Sequence, residues 1–210
     1  MARDSDKAAR AHLAKQDVIG AIIEADGPLD EEERRRGRPK DAYGALVRAI
    51  VGQQLSTKAA ATINGRLLDL YGGKTPKPEQ LIETDPEELR GVGLSYRKAE
   101  YLRDLATHVV DGRLELDRFG EMPDEEVIEE LTAVKGLGVW TAHMFLMFHL
   151  RRPDVLPVGD LGIRNAVRDL FGLENVPDAE QLTSIAEPWR PHRTLACLYL
   201  WRSLDNEPDA

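Results

Sequence analysis

Apolar residues recur at three- and four-residue spacing from one end of this chain to the other, and no alternating run is long enough to build a sheet, so the pattern predicts an all-α fold. A first helix is predicted over Ala11 to Glu24, ending near Gly27-Pro28, and a polar linker runs from Asp30 to Asp41. Leu46, Val47, Ile50 and Val51 give the next helix one apolar face. Ala59, Ile63, Leu67 and Leu70 continue helical spacing until Gly72-Gly73 stops it. Between these two lies a polar interruption, Gly52-Gln53-Gln54-Leu55-Ser56. Asp85-Pro86-Glu87-Glu88 is a helix start, with a capping-box pattern and proline at the first helical position. Ala99, Leu102, Ala106 and Val109 mark the helix after Gly91-Val92-Gly93-Leu94.

Val127, Ile128 and Leu131 then form an amphipathic stripe running into Lys135-Gly136-Leu137-Gly138. Trp140 to Leu150 is apolar almost all round, which predicts a helix buried on every side. An irregular loop, Arg151 to Gly159, ends at Asp160. Helices are predicted at Leu161 to Leu170 with Gly172 as terminator, at Ala179 to Glu187 behind a capping box of Asp178 and Gln181, and at Pro191 to Leu204. The expected architecture is two helical lobes with a cleft between them. Residues 1–41, a helix and polar linker, are expected to pack on the same fold as the main domain, 42–210.

Composition narrows the setting. The chain of 210 residues can bury one sizeable core or two small lobes. It contains no apolar run of membrane-spanning length, and Met1 to Lys15 lacks the apolar block of a signal peptide, so a soluble intracellular protein is expected, cytoplasmic and nucleoid-associated or nuclear, with no membrane partner. The single cysteine, Cys197, excludes an internal disulfide framework, a cysteine-rich zinc site and a four-cysteine iron–sulfur cluster.

A formal charge of -9 runs against a nucleic-acid partner, because phosphate binding normally leaves a basic footprint. Net charge says nothing about distribution, however, and the acidic residues gather at Glu31 to Glu33, Glu87 and Glu88, and Asp124 to Glu130. The basic run Arg34-Arg35-Arg36-Gly37-Arg38-Pro39-Lys40 has an Arg-Gly-Arg-Pro core similar to the minor-groove hook of some chromatin proteins, but a solvated linker is the preferred reading.

The sharpest local signal is Leu131 to Ala142, where a helix end, Gly136-Leu137-Gly138 and a new helix opening with Thr141-Ala142 describe a helix-hairpin-helix. Glycines there let the backbone turn tightly and approach a partner with no side chain in the way. The amides that open the second helix, with its positive end, suit an anion such as a DNA phosphate, a contact without sequence preference. The competing reading is a helix-helix turn with a glycine terminator. Gly91-Val92-Gly93-Leu94-Ser95 is similar but weaker, and there the structural reading is preferred.

Read with Pro157-Val158-Gly159-Asp160, whose aspartate follows Gly138 by 22 positions, the hairpin resembles the helix-hairpin-helix-GPD superfamily of base-excision glycosylases, and within it the 3-methyladenine DNA glycosylase II family. The likeness spans about Tyr43 to Leu204, through Val51 to Ser56, Gly138 to Ala142, and Glu187 to Arg193 with Trp201. What the resemblance implies is a monofunctional glycosylase acting on alkylated purines in duplex DNA, expected as a monomer, with Asp160 catalytic. Chemistry agrees: breaking the bond between sugar and base leaves positive charge on the sugar, which a nearby carboxylate stabilises while it orients or deprotonates water. Asp160 is equally placed to cap the helix after it, and the two roles are compatible. Asp154, in the same loop, matches no catalytic position.

Superfamily members that also nick DNA carry a lysine two positions after the second hairpin glycine. Here Trp140 stands there, so no Schiff base is expected. Lys135 does not match that position, and a phosphate contact is expected of it, together with Gly136, Gly138 and Thr141. Trp140 and Trp201 match pocket tryptophans, while Met144 and Leu161 stand where the bacterial relative has tyrosines, so a less aromatic pocket is expected; plain core packing is the alternative for Trp201. By alignment Gln54 falls at the position that wedges into the duplex, with Gln53, Leu55 and Ser56 beside it as further DNA contacts; an exposed turn is the alternative. The larger bacterial relatives have an extra amino-terminal domain, and this chain is expected to match the compact members. No cofactor or metal is expected beyond a monovalent cation that the resemblance allows at the hairpin. The rival functions are a non-catalytic DNA-binding protein in which Asp160 is only a cap, and a glycosylase with lyase activity. An enzyme is expected to expose the carboxylate in a cleft between Trp140 and Trp201.

Overall fold

The computed structural model describes residues 2–30 and 38–204, and among these it contains helices and turns with no strand. The described residues fall into two compact units. One is discontinuous, made of residues 2–30 and 151–204; the other is the uninterrupted segment 38–150.

The discontinuous unit holds α1 (Ala2–Leu13), α2 (Asp17–Asp26), α10 (Leu161–Leu170), α11 (Ala179–Ala186) and α12 (Arg193–Ser203), with a 3-10 turn at Glu187–Trp189. Its centre is α12, whose Ala196, Cys197, Leu198, Tyr199, Leu200 and Trp201 are all buried, and against which α1, α2 and α10 pack. This helix also closes the end of α2: the Tyr199 hydroxyl donates to Gly27 O at 3.0 Å and Arg202 Nη2 to Asp26 O at 3.0 Å. Carbonyls that a helix C-terminus leaves without partners are thereby satisfied.

The expected single helix over Ala11 to Glu24 is instead two. The chain leaves helical geometry at Ala14-Lys15-Gln16, and α2 packs so closely on this break that a Cβ at Gly20 would lie 2.7 Å from Ala14 O. No proline or glycine marks the break; the packing of Leu13, Ile19 and Ile22 into the core overrides local propensity.

The second unit holds α3 (Ala42–Gly52), α4 (Thr57–Leu70), α5 (Pro78–Glu83), α6 (Pro86–Gly91), α7 (Tyr96–Val110), α8 (Asp124–Thr132) and α9 (Val139–Phe148), with a 3-10 turn at Leu116–Arg118. The predicted face of α3 is its core face, Leu46, Val47, Ile50 and Val51 all being buried, and α3 packs on α4, α7 and α9. Burying four such side chains contributes on the order of 1.5–3 kcal/mol each. In α9, Ala142 and Met144 to Met147 are buried as expected, but Val139 and Trp140 are exposed, so the helix emerges from the core at its first turn. Of the basic run 34–40, residues 34–37 lie outside the described residues; Arg38 places its guanidinium 4.3 Å from the centre of the Phe148 ring.

Candidate active site

Asp160 caps α10. Its Oδ1 accepts from the backbone amide of Ile163 at 2.8 Å and from the indole Nε1 of Trp201 at 3.0 Å. Two donors on one oxygen, one fixed in a helix end and one in the buried helix α12, leave the carboxylate little rotational freedom. Asp160 is 7 % exposed and Trp201 1 %. Trp201 is therefore packed in the core of its unit and also serves as the donor that orients Asp160, a role sequence reading did not assign to it. The thiol of Cys197, deep in the same helix, is pushed up first by burial and then by the nearby Asp160 carboxylate, which keeps it protonated and inert.

The irregular loop that delivers Asp160 is pinned from α12. Thr194 Oγ1 donates to Arg152 O at 2.6 Å and accepts from Val155 N at 3.0 Å, and Thr194 N donates to Pro153 O at 3.1 Å. Asp154 accepts from Arg193 Nε at 2.8 Å and from Arg190 Nη1 at 2.7 Å. The second loop aspartate is thus engaged by two guanidinium groups, which gives it a structural task. Thr194 and Arg193 are functional supports that sequence reading missed; their partners lie about forty positions away along the chain, beyond any local pattern. Gly162 was missed as well: a Cβ there would meet Asp160 Oδ1 at 3.1 Å and the Trp201 indole at 3.4 Å, so its absence leaves clearance beside the carboxylate. Leu161, first residue of α10, is 61 % exposed beside Asp160.

The hairpin joins α8 to α9 in the other unit. Gly136 has φ +89°, in the left-handed region, and a Cβ there would overlap the Tyr101 ring, so both backbone and space require glycine. Gly138 is different. It caps α9 with φ -100° and ψ 171°, a geometry any residue adopts, and a Cβ would meet nothing within 4 Å. Nothing in the fold demands a glycine there, whereas a partner pressed against the opening amides of α9 would. The ammonium of Lys135 pairs with Glu100 at 2.6 Å, and its own amide donates to Asp104 Oδ2 at 2.8 Å.

Trp140 is 39 % exposed on the first turn of α9, one helical turn before Met144, which is 2 % exposed. Met144 and Thr141 line a partly open cavity together with Leu46, Ala49, Phe145 and Phe148. Gln53 ends α3 and donates through Nε2 to Gly136 O at 2.8 Å. Gln54 follows in the left-handed conformation at φ +59°, rare for a residue with a side chain, with Leu55 and Ser56 exposed after it. Ser56 caps α4, accepting from Ala59 N at 3.4 Å.

A glycine hairpin opening a helix, followed 22 positions on by a helix-capping aspartate, is a constellation with known counterparts. Residues 47–191 match the model of the HhH-GPD superfamily base excision DNA repair proteins, and the chain belongs to that superfamily. It is 39% identical over 206 residues to DNA-3-methyladenine glycosylase 1 of Schizosaccharomyces pombe, covering 90% of each chain. It is 34% identical over 169 residues to a putative DNA-3-methyladenine glycosylase of Bacillus subtilis, covering 78% of this chain but spanning only 59% of that protein's length. Among solved structures, the S. pombe 3-methyladenine DNA glycosylase in complex with abasic DNA superposes with a TM-score of 0.84 at 34% identity, over 94% of this chain and 96% of that one.

Proposed function

We propose that this protein is a monofunctional DNA glycosylase of base excision repair, which extrudes alkylated purines from duplex DNA and hydrolyses the bond between base and deoxyribose. The observation that carries the reading is Asp160 held through Oδ1 by Ile163 N and Trp201 Nε1 at the start of α10. Such a preorganised carboxylate stabilises the positive charge that grows on the sugar as the base leaves with the bonding electron pair, without reorienting during the reaction. Water supplies the oxygen that bonds to C1′, and Asp160 takes its proton. The products are the free base and an abasic site, and the chemistry requires no cofactor.

In this reading the opening amides of α9 meet a phosphate across the bare Gly138, and Trp140 offers an aromatic face to a flat, electron-poor base. Gln54 fills the space the base vacates, offsetting part of the few kcal/mol that unstacking costs. The protein acts as a monomer on damaged duplex DNA.

The test is to incubate the purified protein with methylated duplex and identify what is released by mass spectrometry. Free alkylpurines, with strands that break only after alkali, are expected. Binding without release would leave a non-catalytic DNA-binding protein, and strand breakage with trapping by borohydride would leave a lyase.

A further inference from the structure

Three contacts join the Gln54 turn and the hairpin to a single helix. On α7, Lys98, Tyr101 and Asp104 follow one another at three-residue spacing along one face. Lys98 Nζ donates to Val51 O at 2.7 Å, immediately before the Gly52-Gln53-Gln54 turn. The Tyr101 ring fills the space behind Gly136, and Asp104 Oδ2 accepts from Lys135 N at 2.8 Å. Loop and hairpin are thus braced on the same face of the same helix. The third side is closed by Gln53, whose amide nitrogen donates to Gly136 O at 2.8 Å across 83 positions of sequence.

A left-handed residue other than glycine persists only where its surroundings over-determine it, and Gln54 at φ +59° lies directly after the residue that makes this bond. The hydroxyls, amides and charges that read DNA are normally presented outward. The Gln53 amide instead points inward, to a carbonyl of the hairpin, and its bond fixes the spacing between the element that holds phosphate and the element that enters the duplex.

We propose that Gln53 is a positioning residue that couples hairpin engagement to insertion of Gln54, so that gripping the strand and displacing the base occur as one rigid step. The inference rests on the reading of the Gln54 turn as the inserted element. Gln53 then acts through Gln54 and contributes little to the affinity for undamaged DNA, which the hairpin supplies.

A double-mutant cycle tests it, with Gln53→Met, which keeps length and removes the donor, Gln54→Ala, and the pair together. Single-turnover release of alkylpurine, fluorescence of a 2-aminopurine beside the lesion, affinity for undamaged duplex and thermal midpoint are read for each. Gln53→Met is expected to slow release and reduce the 2-aminopurine signal about tenfold, to leave undamaged-duplex affinity within twofold, and to add nothing once Gln54 is alanine. Additive losses in the double variant, or a fall in undamaged-duplex affinity from Gln53→Met alone, would overturn the coupling. If Gln54→Ala by itself changes neither release nor fluorescence, the turn is not the inserted element, and the reading beneath the coupling fails with it.

Discussion

The indole nitrogen of Trp201 lies 3.0 Å from Asp160 Oδ1, so the largest side chain of the central helix α12 ends on the carboxylate that caps α10. Burial of the ring and orientation of the acid are one interaction: the core of this unit sets the angle of its candidate catalytic group. Replacing Trp201 with Phe keeps an aromatic ring and removes the donor. The variant is expected to lose about 1–3 kcal/mol of stability from the missing hydrogen bond and reduced volume. Turnover measured well below its melting point should fall about tenfold, because the carboxylate then loses the indole donor that orients it. Turnover equal to that of the parent would mean that the indole serves packing only.

The two hairpin glycines should separate cleanly. Gly138→Asp places a favoured capping residue in a geometry it accepts, so thermal stability should hold or rise slightly. The new charge would face phosphate, and affinity for any duplex should drop at least tenfold, about 1.4 kcal/mol. Gly136→Ala should instead destabilise the fold by about 3 kcal/mol, since it meets both a left-handed backbone and the Tyr101 ring. Equal effects on affinity and stability at both positions would contradict this division.

Asp154 and Asp160 lie six positions apart in one segment, yet their surroundings assign them different work. Asp154→Asn weakens the pairing with Arg190 and Arg193 and is expected to cost about 1–3 kcal/mol in denaturant unfolding, the pair being only partly screened by solvent. Turnover at a temperature where the variant remains folded should stay within a few-fold of the parent. A loss of catalysis without loss of stability would mark Asp154 as part of the chemistry.

Two histidines set a direction for stability against pH. Burial pulls His143 below the usual histidine range, and His192 is pulled down by burial and by neighbouring His12. With the folded value beneath the unfolded one, the unfolded chain takes up protons first as pH falls through about 6.5, so the contribution of these histidines to stability drops below that point and is flat above it. Urea midpoints between pH 5.5 and 8 should show this decline, and His143→Asn should flatten part of it. A midpoint that rises on acidification would reverse the sign.

Local chemistry made much of this molecule legible before its structure. The apolar face of α3, the Asp178–Gln181 capping box and the Asp160 cap all stand where spacing put them, because each depends on residues within one helical turn. The long-range bonds within each unit have no local signature, since Trp201 reaches Asp160 across 41 positions and Gln53 reaches Gly136 across 83. The break at Ala14-Lys15-Gln16 was equally silent, being imposed by packing rather than by a helix-breaking residue. Apolar pattern also misjudged the first turn of α9. The all-round apolar run from Trp140 predicts a fully buried helix, yet Trp140 is exposed, and hydrophobicity alone does not distinguish a side chain kept for the interior from one kept for a partner.

Asp160→Asn isolates the central claim most directly. The amide oxygen still accepts from Ile163 N and Trp201 Nε1, so the fold and the cap persist while the charge disappears. Release of alkylpurine in single turnover, measured beside affinity for a duplex carrying an abasic analogue, is expected to fall at least a thousandfold, about 4 kcal/mol, with affinity unchanged within a few-fold. Base release at the parent rate by the folded variant would contradict the assignment of Asp160 as the catalytic group.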